Sequence, residues 1–389
     1  MDIIDTRRYF HQFPETSFNE FRTTKEIINI LKDCDCHLTY GKALYGDHPV
    51  GYDDIDAGYT GVLATFSGES PYILIRSDID GLPIEEAQSD HYPAKNNFRS
   101  KSNMHACGHD GHIALLLSLA IYINKIKPHR GIKLLFQPAE EDVRGAMSLD
   151  ESLLENVNLV IGYHIGLGEA PRTIGVGSTN FLATKKLKID FIGKASHCAS
   201  APELGISALD MAISFINKIN SVIDDLDDKF IFNVGKISGG EAVNIIMPKC
   251  TIAVDARASS NHGMDLFMKN INDALSEIER DFKARTALEV VGSAESYKED
   301  DDKLVDDIIS LLNKNDIKTS RTPDFGASED VTKYMNMVKV RGGKAIHLKL
   351  GSKLSAPHHN DHFDFEDEDL LLFDKTIKLI LNDFIDDKL

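Results

Sequence analysis

No apolar run in this sequence is long enough to cross a bilayer. The longest, around Ile113 to Ile123, contains Ser118 and gives way to Asn124 and Lys125, which argues against a membrane-spanning helix on length alone. The opening residues MDIIDTRRYFHQFPE carry charges throughout and no apolar core, so a cytoplasmic protein without a secretory signal is expected. Cysteine is scarce and odd in number. Cys34, Cys36, Cys107, Cys198 and Cys250 point to a reducing compartment rather than a disulfide framework. There is no Cys-x-x-Cys pair, and Cys34-Asp35-Cys36 is too closely spaced to make a zinc-thiolate redox sensor persuasive. Positive charge is also in deficit: 43 Lys and Arg against 61 Asp and Glu leave a net charge of −18. That disfavours nucleic acid or an anionic membrane as partner, because the phosphate contribution would be repulsive. Much of the excess lies in runs such as residues 224–228, read as a solvated face. Without a Gly-rich phosphate loop, Asp324-Phe325-Gly326 carries no kinase reading.

What is present fits an ordinary soluble protein, 42% apolar and 27% charged over 389 residues, a length that predicts two domains. Arg7 to Leu31 has helical spacing interrupted at Pro14-Glu15, and residues 40–59, rich in Gly and Asp, read as an irregular excursion. Gly61 to Phe66 reads as a short strand, and so do three further apolar segments: Tyr72 to Arg76, Gly131 to Phe136 and Leu159 to Tyr163. They lead into Asp78 and Asp80, Glu140 and Glu141, and His164 respectively. Strands alternating with helices predict a largely parallel sheet, where reactive groups gather at the strands' carboxyl ends. Beyond Ser178 the pattern becomes βαββαβ-like. The expectation is therefore an α/β catalytic domain, residues 1–180 and 294–389, with an inserted α+β, ferredoxin-like domain at 181–293.

The densest chemistry is Met104-His105-Ala106-Cys107-Gly108-His109-Asp110-Gly111-His112, running into an apolar helix. Thiolate and imidazole are ligands that a divalent transition metal prefers, and the turn before a helix can aim neighbouring side chains at one point. Together with Asp78, Asp80, Glu140, Glu141, His164 and His358 or His359, the set is large enough to hold two divalent ions. Such a pair lowers a water's pKa to about 7 and polarises a carbonyl. Consecutive side chains leave the backbone in different directions, so of Glu140 and Glu141 one ligates while the other moves protons.

These residues resemble the M20 metallopeptidases, and among them the amidohydrolase branch marked by His-Ala-Cys-Gly-His-Asp-Gly-His and Pro-Ala-Glu-Glu. The likeness extends over nearly the whole chain, through Arg7-Arg8-Tyr9-Phe10-His11, Asp78 to Pro83, Gly193 to His197, Ser328-Glu329-Asp330 and His359 ahead of Phe363-Asp364-Phe365. It implies a zinc-peptidase-like catalytic domain whose two ions, zinc or manganese, are held by Cys107, His109, Glu141, His164 and His359. Cys107 is then shared by, or close to, both ions. It implies Glu140 as general base and Asp80 as the carboxylate orienting the ligands. His197 of the insert is implied to reach across a dimer interface to the oxyanion, with Asn244 and Arg257 binding the substrate's carbonyl and carboxylate. Cys198 is expected to be a small packed filler. The activity implied is hydrolysis of N-acyl amino acids, with p-aminobenzoyl-glutamate the first substrate to try. A dipeptidase or broad peptide hydrolase is the alternative within the class, and a metal-binding regulatory protein on a retired hydrolase fold is the non-enzyme alternative. A homodimer or larger homo-oligomer is expected, or a heteromer with a related subunit.

Overall fold

A computed structural model describes residues 2–48, 58–87, 102–224, 229–387 and 389. The acidic residues 225–228 and the middle of the Gly- and Asp-rich stretch fall outside them. Twelve strands are described: β1 (His37–Tyr40), β2 (Val62–Phe66), β3 (Glu69–Asp78), β4 (Arg130–Gln137), β5 (Val157–Ile165), β6 (Thr173–Val176), β7 (Ala183–Ile192), β8 (Phe230–Gly239), β9 (Lys249–Ala258), β10 (Arg285–Ala294), β11 (Lys318–Arg321) and β12 (Lys344–Leu350). The chain divides into two compact units: Met1–Thr179, Lys298–Gly326 and Asp330–Leu389 in the first, Asn180–Tyr297 and Ala327–Glu329 in the second.

The first unit is α/β, built on a mixed sheet ordered β1-β2-β4-β3-β5-β12-β6-β11. Its centre, β4-β3-β5-β12, is parallel, and these strands are near-continuous apolar runs because both faces are covered. Antiparallel additions flank that centre: β1 and β2 on one side, β6 on the other. The helix His109–Ile126 is buried along most of its length, as expected of a helix that is apolar nearly all round. The helical stretch interrupted at Pro14-Glu15 forms two helices, Ile3–His11 and Phe21–Leu31, and the loop between them carries Pro14 to Glu20. Among the described residues, no helix is long and apolar enough to cross a membrane.

The second unit runs β7, helix Ala208–Asp224, β8, β9, helix Asn261–Phe282, β10. Its antiparallel sheet is ordered β10-β7-β9-β8. One face supplies Leu187, Ile189 and Ile252 to a core shared with Met211, Phe215, Phe267 and Ile271 of the helices. β8 is an edge strand, with Ile231 and Ile237 exposed.

Candidate metal centre

Register brings the candidate residues together. β3 pairs in parallel with β4, Asp78 opposite Gln137, and with β5, Ile75 opposite Ile161. Glu140 lies three residues past Gln137, where β4 ends, and His164 lies on β5 three residues past Ile161, both at the carboxyl-terminal edge. Gly108, at φ 84°, starts the buried helix in a left-handed conformation that costs glycine little. That bend sets Cys107 and His109 against the same edge.

Two groups of donors meet there. Ligand atoms of Cys107, His109 and His164 all lie within 4.8 Å of one another, and so do those of Cys107, Glu141 and His359. Cys107 belongs to both. His164 Nε2 is 3.5 Å from the Cys107 sulfur, and His359 Nε2 is 3.2 Å from Glu141 Oε2. A third grouping, His109, Glu140 and Glu141, places Glu140 beside these donors. His109 Nε2 and Glu141 Oε1, 3.9 Å apart, are both buried without a hydrogen-bond partner. Buried polar atoms left so are costly, and a cation between them would remove the cost. Sulfur, imidazole nitrogen and carboxylate oxygen form a donor set that suits a divalent transition metal.

Hydrogen bonds fix which nitrogen of each ring is available. His109 donates from Nδ1 to the Asp80 carbonyl at 2.9 Å, and His164 donates from Nδ1 to the Ile165 carbonyl at 2.8 Å. Both therefore turn an Nε2 lone pair toward the cluster. His358 donates from Nε2 to the same Ile165 carbonyl at 3.0 Å. That separates the two adjacent histidines geometrically, because His359 is the one whose Nε2 reaches Glu141. Sequence reasoning overlooked His112. Its Nε2 accepts the Ile165 N–H at 3.0 Å and its Nδ1 donates to Asp78 Oδ1 at 2.5 Å, so both nitrogens are engaged. His112 thus pins β5 to β3 beside His164. The available signal was its spacing, three residues after His109 on one helix face.

The electrostatics favour positive charge at this point. Burial works against the His109 imidazolium, yet Asp78, Asp80 and Glu141 together raise its pKa to about 10. Asp78 is held well below the usual carboxylate range. Burial opposes this, but His109, His112 and Arg76 prevail, Arg76 donating to its Oδ2 at 2.7 Å. Burial, reinforced by neighbouring histidines, keeps His164 well below the usual imidazole range and lowers His358 to about 4. Asp80 Oδ2 accepts the Glu141 N–H at 3.1 Å.

The other candidates lie in the second unit. His197 is exposed, and its Nδ1 accepts from Ala199 N at 3.1 Å and Ser200 N at 3.2 Å. The ring proton is thereby confined to Nε2. The Asn244 carbonyl accepts the Cys198 N–H at 3.1 Å, which ties the two loops together. Arg257 is paired with Asp255 on its own strand, Nη2 to Oδ2 at 3.0 Å. Cys198 is exposed rather than a packed filler.

The chain resembles known proteins along most of its length. Residues 74–382 match the model of peptidase family M20/M25/M40. The chain is 31% identical to a homolog, in Haemophilus influenzae, of one subunit of p-aminobenzoyl-glutamate hydrolase, over 95% of each chain. It is 28% identical to the corresponding p-aminobenzoyl-glutamate hydrolase subunit of Escherichia coli, covering 95% of this chain and 93% of that one. Among solved structures, an aminobenzoyl-glutamate utilization protein from Klebsiella pneumoniae superposes with a TM-score of 0.79 at 23% identity. That match covers 98% of this chain and 95% of the other and shares the fold.

Proposed function

The chain belongs to peptidase family M20/M25/M40, and from that premise we propose that it is a two-metal amidohydrolase that cleaves N-acyl amino acids, aroyl-glutamates first among them. The single observation that carries this reading is the membership of Cys107 in two donor groups at one sheet edge. Zinc or manganese would be held by His109 and His164 on one side of the thiolate and by Glu141 and His359 on the other. When bound, such ions supply Lewis acidity, polarising the scissile carbonyl and lowering the pKa of a water to about 7.

The chain's own residues do the rest. Glu140 accepts the proton of the attacking water and returns it to the departing amine nitrogen. His197, its proton confined to Nε2, donates a hydrogen bond to the oxygen on which charge develops. Asn244, on the loop tied to Cys198, contacts the same carbonyl, and Arg257 faces the product-side carboxylate. The relatives' names support the aroyl-glutamate preference. The open edge of β8, with exposed Ile231 and Ile237, supports pairing between two copies through their inserts, and His197 would then act in trans. The word subunit in the relatives' names supports a related partner chain as the other arrangement.

The test is release of free amino acid from p-aminobenzoyl-glutamate, N-acetyl amino acids and dipeptides by protein loaded with zinc or manganese. Preference for the aroyl-glutamate supports the full reading. Turnover of dipeptides alone moves the substrate to peptides, and silence with both metals overturns the enzymatic reading in favour of a metal-binding regulatory role.

A further inference from the structure

We propose that Glu20 is a positioning residue for the turn that presents Glu140 and Glu141, acting through a hydrogen bond to the peptide N–H of Ala139. The inference rests on the amidohydrolase reading for its kinetic readout but not for its metal-binding one.

The turn needs outside support. Leaving β4, the chain passes Pro138 into Ala139, which sits at φ 55°, a region that L-residues enter at a cost. The Ala139 carbonyl accepts from both Arg144 N and Gly145 N, at 3.0 and 2.9 Å. The winding is so tight that a Cβ at Gly145 would lie 1.9 Å from the Pro138 oxygen. Ala139 itself is fully buried, so its N–H must find a partner inside the protein. Glu20 Oε1 accepts it at 2.9 Å, while Oε2 accepts from Thr60 Oγ1 at 2.7 Å.

Glu20 stands at the N-cap of the helix Phe21–Leu31, yet its side chain makes no capping bond. Glu15 accepts from Arg22 N and Thr23 N instead, at 3.1 and 2.8 Å. A polar N-cap side chain ordinarily satisfies its own helix; this one is diverted to a turn 119 residues away in sequence. A second route runs in parallel. Ser17 Oγ donates to Asp80 Oδ2 at 2.8 Å, and that oxygen also accepts Glu141 N. The loop between the first two helices thus reaches the peptide N–H groups on either side of Glu140. Burial, with the Asp80 charge added, pushes the Glu20 carboxyl up to about 8. Glutamine keeps a carbonyl oxygen for the Ala139 N–H and turns its amide toward Thr60, whose hydroxyl can accept instead of donate.

The experiment compares Glu20→Gln, Glu20→Asp and Glu20→Ala in the full-length, metal-loaded protein, reading kcat, KM, melting temperature and the rate at which a chelator strips metal. Outer-shell partners of a metal site are commonly worth about 10–100-fold in affinity or activity. Alanine should therefore lower kcat by about 10–100-fold, leave KM within about threefold and speed metal release about tenfold. Aspartate, which keeps the acid but shortens its reach, should fall with alanine and stands in if the alanine variant does not fold. Glutamine should stay within about threefold of the parent. A lower melting temperature with unchanged kcat per loaded site and unchanged metal release would overturn the proposal, and so would a glutamine variant as impaired as alanine. If the parent hydrolyses no substrate, the amidohydrolase reading fails on its own and the metal-release comparison alone decides the role of Glu20.

Discussion

The sulfur of Cys107 lies 3.5 Å from Nε2 of His164, and the same sulfur belongs to the group formed with Glu141 and His359. A thiolate shared by two sites, as proposed, would make removal of the cysteine different in kind from removal of any one other ligand. Cys107→Ala should bind well under about one metal equivalent, whereas His164→Ala and His359→Ala should each keep about one of two, since an open site with one donor fewer still holds its neighbour. Metal content by elemental analysis checks this. Equal retention in all three variants would contradict the shared role.

The adjacent histidines separate cleanly. His359→Ala should abolish turnover, because it deletes the nitrogen that faces Glu141. His358→Ala removes the donor to the Ile165 carbonyl and the ring packed on His164 and Phe363, and should cost about tenfold in metal affinity. Chelator competition on the two variants distinguishes them, and a larger loss for His358→Ala would reverse the assignment.

Arg7 joins the helix Ile3–His11 to the segments on either side of the centre. Its Nε donates to Asp110 at 3.0 Å, Nη2 donates to Asp364 at 2.5 Å, and Nη1 contacts Asp367 and the Phe365 carbonyl. The guanidinium is 2% exposed, so Arg7→Met would strip Asp364 of its guanidinium and leave Asp110 and Asp367 to His11 and Arg8. The expected loss is about 3–5 kcal/mol, read from urea unfolding. A change below about 1 kcal/mol would show that the network is not what holds these segments.

His11 makes stability depend on pH. Burial alone would depress its pKa, but hydrogen bonds and charge from Asp110 and Glu86 lift it from 6.5 to about 10. A raised folded-state value stabilises fully below the unfolded pKa and is lost as pH climbs through the folded one. The gap in melting temperature between the parent and His11→Gln should therefore be widest near pH 6 and shrink toward pH 10. A gap that is constant or widens over that range would contradict the pairing.

Much of this is legible in the sequence, for reasons that differ by residue. Glu141 and His164 stand out as donors following apolar strands, and Cys107 and His109 as a donor-rich turn before a helix, whereas the choice of His359 over His358 comes from the family resemblance. The insert is legible from its change in period. Long-range diversions of side chains are not: Glu20 reads as an ordinary helix start, and nothing in Phe18-Asn19-Glu20 reveals that its carboxyl serves Ala139. Nor does spacing say that His112 and His358 use their nitrogens on the Ile165 peptide, since sequence carries no tautomer. The flanking strands β1 and β6 escape as well, because four residues carry little periodicity to read, whereas β2 shows in the run Gly61 to Phe66.

In the proposed mechanism Glu140 would carry the proton beside an intact metal pair. The decisive measurement is kcat for an N-acyl amino acid together with metal content, for the parent and Glu140→Gln. The amide keeps the side chain's shape but cannot take the water's proton, and general bases contribute about 10²–10⁴-fold. The expected result is a loss of that size with both metals retained. Parental turnover by Glu140→Gln, its metals in place, would contradict the mechanism.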